Sequence, residues 1–349
     1  MEPENVGRQH FGGGDQSRQW GRVSRDLNTL VLYRRELFES YMQLLADYTS
    51  RQFTYEHDIF VAFSGILTAL SGNLVTSFHL GIPITYFEQG LLFEVGAFSP
   101  RARRAGFPSW GWTGWNPKVN NDTRISFEKW PATRKRNGRS YQFEDDFMSV
   151  TVWYVWDGIS AMFAYLEGIQ NPMAQEFLNI SPRLRRCNLP SNLNPFEALV
   201  FNSTICELGV RRHPSEKHDN SGADEYDVYL PQRSPKTAEQ SSNTSVPTSW
   251  DPLIGSLKLD SSWRQSQGDR FYFVAIAREA LEVSWDSKSG HSDMKHVIHT
   301  LVIETISETV EETYLGAMPV KIARRIQVCT IDELGWKSAE PKRTAIYLV

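Results

Sequence analysis

Cysteine is scarce in this sequence, and neither sign of charge dominates it. Only three cysteines occur in 349 residues, at Cys187, Cys206 and Cys329, and no two of them form a Cys-x-x-Cys pair. This odd number and wide spacing argue against both a disulfide framework and a cysteine-based zinc site. The formal net charge is −4, whereas proteins that bind nucleic acid usually carry a basic surface. We therefore expect no nucleic-acid partner.

The basic residues occur in short clusters, among them Arg101/Arg103/Arg104 and Arg324-Arg325. None of these clusters is interleaved with a base-stacking motif, which a nucleic-acid interface would require. We therefore interpret them as solvated loop charge.

The sequence also lacks a secretory signal and a membrane span. Residues 1–14 are polar and glycine-rich, without the apolar core that a signal peptide requires. The most apolar stretch runs from Ile59 to Ile84, but serines, glycines, Asn73 and His79 interrupt it. Since a membrane span needs about 20 predominantly apolar residues, this stretch predicts a buried amphipathic helix. We expect the chain in the cytoplasm or the nucleus, without a membrane partner.

No complete catalytic, cofactor or metal motif is present. Ser109 lies in Pro-Ser-Trp-Gly-Trp, which differs from the Gly-x-Ser-x-Gly turn of serine hydrolases. Gly12-Gly13-Gly14 lacks the Lys-Ser/Thr of a phosphate-binding loop. The histidine-rich stretch His291–His299 does not have the spacing of a defined metal site. No residue is therefore assigned to catalysis, to a cofactor or to a metal, and a non-enzymatic role is favoured.

Aromatic residues are plentiful, and the most conspicuous group is Pro108–Trp115 with its three tryptophans, Trp110, Trp112 and Trp115. Such rings can form an open platform for a sugar, a base or a partner side chain. Alternatively, Trp110 and Trp112 lie on one face of a strand that is buried against helices, with glycines allowing close backbone approach. The second interpretation is favoured.

The hydrophobic pattern predicts an α+β fold with three parts. Residues 1–30 form a disordered leader. Residues 34–105 form a helical unit, with its helices between about 34 and 95. Residues 106–349 form a mostly antiparallel β region that contains a disordered surface insertion at about 211–250, where serine, proline and charged residues dominate.

Helical spacing supports the first helix, and β-branched and aromatic runs support the strands. The first helix places apolar residues inward at Leu37, Tyr41, Leu44, Leu45 and Tyr48. Strands are predicted at 150–156, 197–206, 253–259, 270–277, 297–306, 314–328 and 343–348.

Three further residues are candidates for a structural or interaction role. Arg51 and Asp58 flank the start of the second helix, either as a ligand-binding arginine or as a buried or semi-buried ion pair that fixes the turn between helices. Trp336 lies near the end of the chain, before the predicted strand 343–348.

Two blocks of sequence together resemble a known family. Tyr48–Asp58 is similar to a Tyr-Ser-x-Arg-x-Leu-Thr-x-x-x-Asp motif that precedes an Ala-x-Ser-Gly-Ile helix, here Ala62–Ile66. Leu91-Leu92-Phe93 and Pro108–Trp112 then follow in the same order as a Leu-Leu-Trp and a Pro-Ser-Trp-Ser-Trp. This order resembles the region after the HET domain in fungal heterokaryon-incompatibility proteins. The later segments 301–304, 336–341 and 346–348 look like the closing strands of that family.

The chain departs from the family at several points. Phe53 stands for the usual leucine and Gly111 for a serine, and the motif that closes the HET domain has no counterpart. The resemblance therefore implies the C-terminal part of such a protein, with a HET-type domain in cis or in trans as its partner. In the family, the HET domain is associated with cell death after non-self recognition.

Three functional hypotheses follow. The first is a non-enzymatic regulatory or recognition module that acts by protein–protein contact through the tryptophan segment and the second helix. The second is a ligand-binding or enzymatic module for a carbohydrate or a nucleotide. The third is a truncated protein or an incomplete gene product without a function of its own.

Overall fold

The computed structural model describes residues 27–51, 54–74, 76–95, 103–116, 125–126, 147–151, 153–156, 161–163, 198–212, 223–230, 252–260, 270–285, 292–313 and 316–349. In this part of the chain, a group of helices precedes a set of long, mostly antiparallel strands, which confirms the predicted α+β class. None of the described helices is both long and apolar enough to cross a membrane.

The helices are α1 (Leu27–Thr49), α2 (Ile59–Leu74), α3 (Phe87–Leu91) and α4 (Glu333–Ser338). Single 3-10 turns occur at Glu56–Asp58, Ile84–Tyr86 and Trp112–Gly114. The strands are β1 (Phe78–His79), β2 (Ile82–Pro83), β3 (Glu94–Val95), β4 (Ile125–Ser126), β5 (Phe147–Ser149), β6 (Trp153–Trp156), β7 (Ala161–Phe163), β8 (Leu199–Arg212), β9 (Ala223–Tyr229), β10 (Leu253–Asp260), β11 (Arg270–Trp285), β12 (Ser292–Thr313), β13 (Gly316–Asp332) and β14 (Lys342–Leu348). Each predicted strand is present, and β8, β11 and β12 extend beyond their predicted ends.

The long strands close into a ring. β8 pairs with β11, β11 with β12 and β12 with β13, and β14 then joins β13 to β8. Farther along the same strands, β9 and β10 take the place of β14 between β8 and β13. The pairing of β14 with β13 is parallel, and the other described pairings are antiparallel. The backbone groups of these strands are therefore satisfied around a closed path.

One of the two hydrophobic clusters fills the inside of the ring. Its buried side chains come from β8, β9, β10, β11, β12 and β13, and Trp336 of α4 joins them. In β11 the inward residues are Phe271, Phe273 and Ala275. Val274 belongs instead to the outer cluster, because successive side chains of a strand point to opposite faces. Burial on both faces explains why this strand is a nearly continuous apolar run.

The outer cluster joins the helical unit to the ring. It combines apolar residues of α1, α2 and α3 with the three tryptophans of the Pro108–Trp115 segment and with outward residues of β8, β11, β12, β13 and β14. The expected arrangement, a helical unit against a β region, is therefore confirmed.

The first helix differs in detail from its prediction. α1 begins at Leu27, so Leu27–Leu30 do not belong to a disordered leader, and residues 1–26 lie outside the described part of the chain. Phe38 and Met42 are buried on its inner face, whereas Leu44 is exposed. The predicted and the observed sets of inward residues both fit helical spacing. The positions of the neighbouring elements decide which set is buried.

The prediction of a disordered insertion at 211–250 is wrong for part of that range, because the range contains the end of β8 and the whole of β9. Residues 211–212 end β8, and β9 pairs with both β8 and β10. Tyr226 and Val228 of β9 are buried in the ring although their neighbours in sequence are mostly polar. Residues 213–222 and 231–251 lie outside the described part of the chain.

We expect Phe273→Ala to lower the free energy of unfolding by about 3–5 kcal/mol, because it empties a fully buried site inside the ring. Leu253→Ala, at an exposed position of β10, is the matched control and should change stability by less than about 0.5 kcal/mol. Urea denaturation followed by tryptophan fluorescence measures both. Similar losses for the two variants would contradict the assignment of the inner cluster.

Candidate functional site

The Pro108–Trp115 segment is a compact turn and not the predicted strand. Trp112–Gly114 form a 3-10 turn, and Trp115 makes an isolated bridge to Arg103. The indoles of Trp110, Trp112 and Trp115 are all 0% exposed. They therefore form part of the core and offer no open aromatic platform.

Each indole packs against the helical unit or the turn itself. Trp112 meets Phe63 of α2 edge-on, with ring centroids 5.3 Å apart, and also contacts Tyr48 of α1. Trp110 stacks on His79 at 5.4 Å. The Trp115 Nε1–H donates to the Ser109 carbonyl oxygen at 2.8 Å. Such edge-on and stacked contacts add to the stabilisation from burial alone.

Two glycines permit this arrangement. A Cβ on Gly81, whose φ is +89°, would lie 2.6 Å from Trp112 Nε1. A Cβ on Gly114 would lie 2.2 Å from the Pro108 carbonyl oxygen. Both positions therefore require a residue without a side chain.

The buried arginine Arg325 of β13 connects the ring to the helical unit. Its Nη1–H groups donate to the carbonyl oxygens of Leu91 at 2.7 Å and Trp110 at 3.4 Å, and Nη2 donates to that of Phe93. The guanidinium carbon also lies 3.7 Å from the centroid of the Phe93 ring. Burial lowers the pKa of Arg325 to about 9, and the nearby carboxylate of Glu94 opposes that shift.

Ser109 completes this connection, which we call the joint and define as Leu91–Phe93, Ser109, Trp110, Arg325 and Val349. The Ser109 hydroxyl accepts from the Arg325 backbone N–H at 2.9 Å and donates to the Val349 oxygen. The Ser109 N–H donates to the same oxygen at 3.1 Å. These hydrogen bonds give the hydroxyl a structural role in the joint.

A second buried arginine fixes the start of α2. Arg104 pairs through Nε with Glu56, which begins the 3-10 turn before α2, and through Nη1 with the Trp115 carbonyl oxygen. Arg104 and Arg325 are buried and Arg324 is exposed. The interpretation of the clusters as solvated charge is therefore wrong for Arg104 and Arg325.

The predicted pair of Arg51 and Asp58 is not buried. Arg51 follows the end of α1 and is exposed, and Asp58 ends the 3-10 turn and is also exposed. Asp58 Oδ1 lies 3.3 Å from Nε2 of its neighbour His57. The ion pair at this turn is formed instead by the buried Arg104 and the exposed Glu56, which spacing along the chain does not reveal.

Trp336 lies in a helix and not in a closing strand. Asp332 caps α4, since its Oδ1 accepts from the N–H groups of Leu334 at 2.9 Å and Gly335 at 3.1 Å. A Cβ on Gly335 would lie 2.4 Å from the Ile254 side chain, so α4 lies directly on β10. Trp336 is thereby held in the inner cluster.

Glu88 of α3 is a buried carboxylic acid. Its Oε1 accepts from Ser149 Oγ at 2.6 Å and from Trp153 Nε1 at 3.0 Å. Burial raises the pKa of Glu88, and these two hydrogen bonds oppose part of the rise. Glu88 therefore ties α3 to β5 and β6.

The histidine-rich stretch forms hydrogen bonds between strands. His299 Nε2 lies 2.8 Å from Glu279 Oε2, and Nδ1 lies 3.2 Å from Thr330 Oγ1, with both His299 and Glu279 buried. Within the described residues, no group of three or more histidine, cysteine, aspartate or glutamate side chains is arranged to hold a metal ion. His291 lies outside the described part.

Sequence reasoning missed Arg325, Glu88 and the His299–Glu279 pair. For Arg325 a signal exists, because Arg324 and Arg325 lie next to each other in a predicted strand and must point to opposite faces. For Glu88 the only local signal is its position among apolar residues of a short helix. The partner of His299 comes from another strand, so no local pattern indicates it.

The exposed side of α2 carries no charge. This surface, the α2 face, is formed by Val61, Ala62, Ser64, Gly65, Thr68, Ala69, Gly72 and Asn73. Its polar side chains bond to carbonyl oxygens of the helix itself, with Ser64 Oγ 2.6 Å from the Val61 oxygen and Thr68 Oγ1 2.9 Å from the Ser64 oxygen. Val61 is 68% exposed, whereas surface helices usually place charged residues outward.

Comparison of the chain with protein-family models, with curated proteins and with solved structures finds no significant match.

We expect Arg325→Lys to lower the free energy of unfolding by about 2–4 kcal/mol, because an ammonium cannot reach all the carbonyl oxygens that the guanidinium bonds. Arg324→Lys, at the adjacent exposed position, is the matched control and should have an effect within about 0.5 kcal/mol. Urea denaturation compares the two. Equal stability of both variants would show that the joint does not depend on the guanidinium.

Glu88→Gln should stabilise the protein at pH 8 relative to wild type and have little effect near pH 4. A raised folded-state pKa means that the folded protein binds its proton more tightly than the unfolded chain, so this carboxyl destabilises the fold as pH rises. Glutamine removes that dependence and keeps an acceptor for Ser149 and Trp153. The exposed Glu36→Gln serves as control. A difference between Glu88→Gln and wild type that does not vary with pH would contradict the prediction.

Proposed function

We infer that this chain is a non-enzymatic recognition module that binds another protein domain through the α2 face. The observation that carries the inference is a helix of 16 residues, Ile59–Leu74, with no charged side chain although half of its residues are exposed. An uncharged exposed face of this kind is typical of contact sites between proteins.

The shape of the α2 face supports a contact with another helix. An added Cβ at Gly65 or at Gly72 would meet no atom within 4 Å, so both glycines open onto the surface. Small residues let a second backbone approach closely, and polar side chains that bond to their own helix need no water. The buried side of α2 rests on Trp112 through Phe63, which keeps the face in a fixed position.

The resemblance to the C-terminal region of fungal heterokaryon-incompatibility proteins supplies the proposed partner, a HET-type domain in cis or in trans. Three segments carry the resemblance: Tyr48–Asp58 directly before α2, Ala62–Ile66 in α2, and Pro108–Trp112 in the turn beneath it. The tryptophan turn that supports α2 and the exposed α2 face would then both serve the binding of this partner. In this proposal the tryptophans act indirectly, by supporting the helix.

Val61→Lys tests the proposal, because it introduces a charge into the α2 face without disturbing the core. A purified HET-type domain of a fungal heterokaryon-incompatibility protein is the probe, and binding is measured by calorimetry. We expect wild-type protein to bind and Val61→Lys to bind at least tenfold more weakly.

The matched control is Leu334→Lys, which makes the same kind of change at a 74% exposed position of α4. It should bind as wild type does. Absence of binding by wild type, or equal binding by Val61→Lys and wild type, would overturn the proposal. Thermal melts confirm that both variants remain folded.

A further inference from the structure

β12 extends beyond its neighbour in the ring. Its pairing with β11 ends at Tyr272–Ile303, whereas its pairing with β13 continues to Thr313–Gly316. In the described part of the chain, residues 305–313 pair with β13 along one side only. We call the other side of this stretch the β12 edge. No described strand pairs with the backbone N–H and C=O groups on this side, which an incoming strand could bond.

The usable part of the β12 edge starts after a bulge. The register shifts between Thr305 and Ser307, so that Ile306 is an extra residue, and the ladder then runs without a break to Thr313. At about 3.3 Å per residue this stretch measures roughly 23 Å. It contains no proline, whereas the opposite strand β13 lacks an N–H at Pro319. The β12 edge is therefore the better of the two for strand addition.

The β12 edge is strongly acidic. The strand carries Glu308, Glu311 and Glu312, and no lysine or arginine occurs from Glu304 to Val320. Lys321 lies opposite Glu308 but is already occupied, since its ammonium bonds the Glu308 carboxylate and lies 4.2 Å from the centroid of the Tyr272 ring. Glu311 and Glu312 lie farther along β12, where the register places Met318 and Ala317 of β13 opposite them.

This charge selects between occupants. A second copy of the chain, added edge to edge, would bring glutamates against glutamates, and like charges across a strand pair are destabilising. An extended segment rich in lysine or arginine would instead gain opposite-charge pairs together with the main-chain hydrogen bonds. Val310 lies two residues from Glu308 on the same face and is 66% exposed, so an apolar or β-branched residue fits between the basic ones.

We propose that the β12 edge is a docking site for an extended, basic segment of a partner protein, which adds to β12 as a further strand. On one face, such a segment would alternate basic with apolar or β-branched residues at every second position, because neighbouring strands match side chains in steps of two. This site is separate from the α2 face and does not depend on the recognition function proposed above.

The probe is a synthetic peptide of the repeating sequence Lys-Thr-Val-Thr, eight residues long, with a fluorophore and blocked ends, which alternates lysine and valine on one face. Fluorescence anisotropy measures its binding to the full chain, and hydrogen exchange measures protection of the amides of residues 307–313. We expect saturable binding together with slower exchange in this stretch.

Two control peptides separate strand pairing from charge attraction. In one, glutamate replaces lysine, which should abolish binding. In the other, proline replaces valine and threonine, so the charge is kept and at least half of the pairing N–H groups are lost whichever side of the peptide faces β12. This peptide should bind at least tenfold more weakly than the probe. Equal binding by the proline peptide would reduce the site to non-specific charge attraction and overturn the proposal.

The protein variants provide the second arm. Val310→Lys should weaken peptide binding at least tenfold, because a lysine on the β12 edge repels the basic probe, and Leu334→Lys is again the matched control. Unchanged binding by Val310→Lys would overturn the proposal, as would a concentration-dependent dimer of wild type that Val310→Lys abolishes. Val61→Lys should bind the peptide as wild type does, so failure of the α2 proposal and failure of this one are distinguishable.

Discussion

The buried guanidinium of Arg325 is the interaction on which the relation between the two halves of the structure depends. It donates to the carbonyl oxygens of Leu91 at the end of α3, of Phe93 shortly after it, and of Trp110 in the tryptophan segment. A buried cation costs solvation free energy, which the hydrogen bonds and the nearby Glu94 offset in part. Its main effect is therefore to specify one arrangement of the helical unit on the ring. Only in that arrangement do these carbonyl oxygens meet the buried guanidinium.

The remaining features of the joint follow from that arrangement. Once the turn at Ser109 and Trp110 lies against β13, the Trp112 ring must pass beneath Gly81 and meet Phe63 of α2. The position of α2 is then set from below, by aromatic contacts. These contacts decide which side of α2 faces outward. The exposure of the uncharged surface at Val61 is therefore a consequence of the buried polar contacts at the opposite side of the helical unit.

The sequence predicted those features that repeat along the chain. Strands with both faces buried appear as apolar runs, and α2 appears as an amphipathic helix, so the α+β class and most strand positions follow from periodicity. The closing of the ring does not, because it depends on the pairing of β14 with β8, whose residues lie more than a hundred positions away. β9 was missed because Tyr226 and Val228 are its only large apolar inward residues in a polar segment. Arg325 was misjudged because composition treats Arg324 and Arg325 alike, whereas a strand turns one outward and the other inward.

Closure of the ring also explains where the chain can accept another strand. The long strands pair their backbone groups with one another around the ring. A long free edge therefore arises only where one strand extends beyond its neighbour. In the described residues β12 does so past Ile303, at the start of the glutamate-rich stretch. Acidic side chains on such an edge prevent identical chains from pairing through it. The same charge leaves the backbone accessible to a segment of opposite sign, so protection against self-association and selectivity for a basic partner arise from the same residues.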